Sequence, residues 1–125
     1  MEKISAFGII FILCILMLFH FAVVLKFIPY KNIWGGRLQS DREMYLFEAI
    51  SIFVIVLMLI FMLQIVGMIH SFMPDTGRYV FLWGMVIIFF LSTVGNLLSE
   101  NRMEKRIFAP LSALLFVFSA LLAFH

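Results

Sequence analysis

Four long apolar runs alternate with short polar segments along this chain: Ile4–Ile28, Met44–His70, Tyr79–Leu98 and Ile107–Phe124. Each is near or above the ~20 apolar residues a helix needs to cross a bilayer core of roughly 30 Å. None alternates strictly between apolar and polar positions, which excludes a membrane β-barrel. The pattern predicts an all-α chain of four transmembrane helices, about 4–28, 44–70, 79–98 and 102–124, in one domain over 1–125. Two short connections make sequential helices antiparallel, so the expected architecture is an integral membrane four-helix bundle, up-down-up-down.

The breaks between runs carry their own signals. Pro29 cannot donate a backbone hydrogen bond and biases Ile28 away from helical geometry, so the first helix should stop there. The connection that follows holds Tyr30 and Trp34, suited to a membrane–water interface, and the turn pair Gly35-Gly36. Ser40 or Asp41 can cap the second helix, and Ser40-x-x-Glu43 has capping-box spacing. Pro74-Asp75-Thr76-Gly77 reads as a compact turn. Asn101-x-x-Glu104 again has capping-box spacing, so the fourth helix should begin near Arg102, with Pro110 inside it at a kink or an early turn.

Charge then orients the four spans. Of nine basic residues, seven fall in or beside the first and third connections: Lys26, Lys31, Arg37, Arg42, Arg102, Lys105 and Arg106. Only Lys3 and Arg78 lie on the other side. Under the positive-inside rule, 29–43 and 99–106 are cytoplasmic and both termini lie outside, in a multi-pass protein of the cell (inner) membrane. The chain is 65% hydrophobic over 125 residues, too apolar for a soluble domain. Its net charge of +2 gives no reason to expect a nucleic-acid partner. Cys14 is the single cysteine, so no disulfide or Cys-x-x-Cys redox motif is available within the chain.

Polar residues inside the spans are expensive and few. His20, Glu48, Asn96 and Ser99 all fall at a similar depth, toward the side that carries the basic connections. They form the candidate proton-handling or polar cluster. Trp34, Gly35, Gly36, Arg37, Arg42, Arg102, Lys105 and Arg106 form the candidate headgroup or anion contact surface. For His20 the structural alternative is a neutral imidazole satisfied by a neighbouring helix. For Glu48 it is a helix-start carboxylate that snorkels to water or pairs with Arg37 or Arg42. Asn96 and Ser99 also suit interhelical hydrogen bonding. Small residues let helices approach in lipid, so the face of Ser92, Gly95, Asn96 and Ser99 should meet that of Ala109, Ala113, Ala120 and Ala123. Gln64, alone on the opposite half, should bond to another helix. No catalytic triad, metal-ligand spacing or phosphate-binding Gly-rich motif is legible, so no catalytic residue, metal or cofactor is expected.

Trp34-Gly35-Gly36, taken with Asn96-Leu97-Leu98-Ser99, Glu104-Lys105-Arg106 and Pro110, resembles a pattern in small bacterial four-helix integral membrane proteins. These carry an aromatic-Gly-Gly first connection, and their third helix ends in Asn-x-x-Ser ahead of Glu, a basic residue and Pro. The resemblance covers the two basic connections and their flanks, and it implies no activity. Small multidrug exporters differ, because their membrane-embedded Glu stands in the first helix.

Two function classes follow. The leading expectation is an interaction module that binds lipid headgroups, another membrane protein or a further copy of itself through its cytoplasmic face. The alternative is a proton-coupled small-solute transporter acting as an oligomer, with Glu48 and His20 exchanging protons. An enzyme with either residue as general base is the weakest reading, since no nucleophile or cofactor site accompanies them.

Overall fold

Backbone that lies in hydrocarbon must satisfy its own hydrogen bonds, and the described chain does so with helices. A computed structural model describes residues 2–28, 40–99, 102 and 104–124. Within these residues the elements are α1 (Glu2–Val24), α2 (Asp41–Ile65), α3 (Asp75–Leu98) and α4 (Ala109–Ala123), with no strand. A π-helical turn, Glu104–Phe108, leads into α4. Four stretches are long and apolar enough to cross a membrane: Lys3–Val24, Asp41–Ile65, Asp75–Leu98 and Lys105–Ala123.

The helix ends differ from the expected ones for identifiable reasons. The first helix closes at Val24, ahead of Pro29, because Lys26 adopts the left-handed conformation (φ 65°). Its N–H bonds to Val23 O at 3.0 Å while Phe27 N–H reaches Ala22 O at 2.9 Å. This is the paired closure that glycine usually makes, and a lysine there is strained. Glycine makes it at the end of α2. Gly67 (φ 80°) bonds to Gln64 O at 3.1 Å, and Met68 N–H bonds to Leu63 O at 3.0 Å. The second helix therefore ends near Ile65, not His70. Its start follows the cap signal, with Ser40 Oγ accepting from Glu43 N–H at 3.2 Å.

The expected Pro-Asp-x-Gly turn is instead the beginning of α3. Pro74 stands at the N-cap and Asp75 in the first turn, where an acid complements the helix dipole. At α4 the proline stands in the first turn of the helix, directly after the π turn. Pro110 has no N–H to give Arg106 O, and its ring crowds that carbonyl. Asn101 of the expected capping box lies outside the described residues.

Packing is most extensive between α3 and α4, followed by α1 with α2 and α1 with α4. Following α3 from Trp83 to Asn96, its partners step back along α4. Trp83 meets Phe124 edge to face with centroids at 5.0 Å, Phe90 meets Phe116 at 5.6 Å, and Asn96 Nδ2 donates to Ser112 Oγ at 3.1 Å. The small-residue face expected at this contact is only partly there. Asn96 and buried Ala109 belong to it, whereas Gly95 is exposed with open space around its Cβ position. The row Leu82, Met85 and Phe89 is buried instead, and Asn96 continues that row at helical spacing.

One apolar core joins all four helices, through Ile9 and Leu13, Met58 and Phe61, Met85 and Phe89, and Leu115 and Leu122. Outside it, Phe11, Leu18, Phe53 and Leu91 stand exposed, as lipid-facing side chains do. Among the described residues, α2 and α3 are not a close pair although one turn connects them. The stacked rings of Phe61 and Phe81 bridge them, with centroids at 4.2 Å and planes at 20°.

The helices α1 and α4 approach closely at Gly8. A Cβ on Gly8 would lie 2.7 Å from Cε2 of Phe118. Gly8→Val should therefore lower unfolding stability by about 1–3 kcal/mol. A second change, Phe118→Ala, should recover part of that loss. Reversible unfolding in mixed micelles measures both, and additive effects would contradict the close approach.

Candidate functional site

The polar residues sort onto two helix pairs. His20 lies one turn before the end of α1, and Glu48 about two turns into α2. His20 Nδ1 and Glu48 Oε2 are in hydrogen-bond contact. The carboxylate is fully buried at 0% exposure, and the imidazole keeps 14%. The described partner of Glu48 is thus His20 on the neighbouring helix; of the two arginines the sequence also offered, Arg37 lies outside the described residues. Met44 and Val23, one turn away on the same two faces, are buried as well.

A single proton between Nδ1 and Oε2 can be assigned in two ways. Either a protonated imidazole donates to a carboxylate, or a neutral carboxylic acid donates to the bare Nδ1. Both arrangements leave the pair without net charge, which lowers the cost of burying it. Chemically, the pair can hold one proton and pass it from one group to the other.

Phe19 ties this pair to the start of the fourth helix. Its ring meets that of His20 edge to face at 5.6 Å and that of Phe108 at 4.7 Å. Asn96 belongs to a second polar contact, the bond to Ser112 across α3 and α4. Ser99 closes α3, its N–H bonding to Asn96 O at 3.3 Å. Ser112 was not singled out in the sequence, although it stands three residues after Ala109 on the small-residue face of its helix.

Arg42, Arg102, Lys105 and Arg106 are exposed. Lys26 Nζ reaches Asp41 Oδ2 at 2.7 Å, joining the end of α1 to the start of α2. Both partners are about half exposed, so solvent screens the pair and it positions more than it stabilises. Trp34, Gly35, Gly36 and Arg37 lie outside the described residues.

On the other half, Gln64 departs from expectation. Its Oε1 accepts from Phe72 N–H at 3.2 Å, and its Nε2 reaches Ile60 O at 3.5 Å. It braces the turn after its own helix, because that turn carries backbone donors an apolar neighbour could not satisfy. Ser5 Oγ, Trp83 Nε1 and Ser119 Oγ are buried without a hydrogen-bond partner among the described residues. Among the described residues no three His, Cys, Asp or Glu side chains converge. Cys14 is exposed on α1.

Truncating one member of the His20–Glu48 pair removes a hydrogen-bond partner from the other in largely buried surroundings. Glu48→Ala or His20→Ala alone should each cost about 3 kcal/mol. The double variant should cost far less than their sum, as read by unfolding in detergent. Strict additivity would show that the two side chains do not support one another.

No known protein family, curated protein or solved structure matches this chain.

Proposed function

We propose that the chain is a multi-pass protein of the cell (inner) membrane, up-down-up-down with both termini outside. In this reading its basic cytoplasmic end binds anionic lipid headgroups or an acidic surface of another membrane protein. The stepwise pairing of α3 with α4 supports the topology, as does the pairing of Gly8 with Phe118 and Phe19 with Phe108 between α1 and α4. The uneven distribution of Lys and Arg supports the orientation.

One observation carries the functional reading. Arg42, Arg102, Lys105 and Arg106 are exposed, while the nearby intramembrane carboxylate of Glu48 is buried against His20. The four basic side chains thus face outward and Glu48 faces inward, while the exposed Asp41 is offset by its pairing with Lys26. A basic residue at an anionic surface contributes roughly 1 kcal/mol, so four acting together suffice to hold headgroups in preference to zwitterionic lipid. The resemblance to small bacterial four-helix proteins falls on the same two connections.

Two measurements test this reading. In a Cys14→Ser background, Thr76→Cys should react with an impermeant thiol reagent in intact cells, and Lys105→Cys only after permeabilisation. The reverse pattern would overturn the orientation. Changing Arg42, Arg102, Lys105 and Arg106 to Gln should cut the anionic lipid retained in native mass spectrometry several-fold. Unchanged retention would refute the headgroup role.

The His20–Glu48 contact favours a second reading, a proton-coupled small-solute transporter that works as an oligomer. One shared proton in a buried pair is the element such coupling needs. Glu48→Gln should abolish uptake driven by a proton gradient in proteoliposomes. A wild-type protein that moves no solute under any gradient would end this alternative.

A further inference from the structure

A hydroxyl inside a span ordinarily bonds to the carbonyl one turn back. Thr93 does so, its Oγ1 donating to Phe89 O at 2.7 Å. Ser5 and Ser119 do not. They are 1% and 0% exposed, and neither Oγ has a hydrogen-bond partner among the described residues. Ser119 makes no bond to Leu115 O, and Ser5 stands in the first turn of α1 with no full turn of helix before it. Trp83 Nε1 is a third such atom, but its ring packs against Phe124 and it stands apart from this pair.

The helix contacts place the two hydroxyls at one level. Gly8 meets Phe118 and Phe19 meets Phe108, so each step along α1 matches about one step back along α4. On that register Ser5 and Ser119 differ by about two residues, or roughly 3 Å along the bundle. Rotation points them the same way, since each residue turns a helix by about 100°. Gly8 faces α4 and His20 faces α2, and Ser5 falls between those directions, about 60° from each. Phe118 faces α1 and Phe116 faces α3, and Ser119 falls between those two. Both hydroxyls are therefore turned to the interior of the bundle. Buried Met62, Met85 and Leu122 stand at the same level.

We propose that Ser5 and Ser119 hold a buried water molecule between α1 and α4, at the end of the bundle that carries both termini. Each hydroxyl can donate one hydrogen bond and accept two. Two of them can therefore give a water the roughly three bonds that buried waters make. A neutral guest fits this lining better than an ion does. Glu48 is the buried charged side chain among the described residues, and it lies toward the other end of the bundle, against His20. The thioethers of Met62 and Met85 can reshape around a guest of this size. Ser5 lies only about 5 Å along the helix from the start of α1 at Glu2, so solvent is close by. The water would tie α1 to α4 by hydrogen bonds that the two serines do not make directly. The inference does not rest on the reading of the basic end, which concerns the opposite ends of the helices.

Solid-state NMR of the full chain in lipid bilayers, with magnetisation started on water, tests it. Polarisation should reach the side chains of Ser5 and Ser119 ahead of buried Leu122, which lies nearer the end of α4 than Ser119 does. Ser119→Ala should slow the build-up at Ser5 several-fold, and Ser5→Ala should slow that at Ser119, with helical content unchanged in both. Build-up at Ser119 no faster than at Leu122 in the wild type would overturn the proposal. A direct bond between the two hydroxyls, with no water, would give that result. Build-up at either serine that is unchanged when the other is alanine would overturn it too, because the two would then not share one water.

Discussion

Helices that are apolar on every side have no hydrophobic reason to choose one partner over another once they lie in lipid. That constraint governs this molecule. Association must come from close approach, ring packing and hydrogen bonds between helices, and the contacts here are of those three kinds. Gly8 admits Phe118 between α1 and α4. Ring pairs fix α3 on α4 and link α1 to the π turn. His20–Glu48 and Asn96–Ser112 supply directional bonds across two helix pairs. Apolar side chains then fill the remaining space without deciding who meets whom.

The same constraint explains what could be read from the sequence. Span number and depth are legible, because both depend only on distance along the chain from polar ends. His20 and Glu48 could therefore be assigned to one level before any contact was known. Rotation about each helix axis is not legible, since no polar stripe marks an inward face. Gly95 illustrates the limit. It shares helical spacing with Asn96 and Ser99, yet it stands exposed while Leu82, Met85 and Phe89 take the interface.

Helix ends were legible only where a conventional residue marks them. Ser40 caps as its side chain suggests, whereas the left-handed Gly67 that closes α2 was overlooked because the apolar run continues past it to His70. Lys26 does the same at the end of α1 without being glycine, so nothing in the local sequence announced that stop. Gln64 was read as interhelical because an isolated polar residue in a span needs a partner. The partner proved to be the backbone of the adjoining turn, which a sequence pattern does not display.

The π turn before α4 sets a phase. A π turn holds one more residue than the α turn it replaces, and each residue in a helix rotates the chain by about 100°. The side chains on the lead-in, Arg102, Lys105 and Arg106, are thereby rotated relative to the buried row Ala109, Leu115, Ser119 and Leu122 that anchors the fourth helix. Were the turn an ordinary one, the same basic residues would point to a different sector around the bundle. The single extra residue of the π turn, which makes none of the polar contacts between helices, thus works as an angular index for the charged end of the protein.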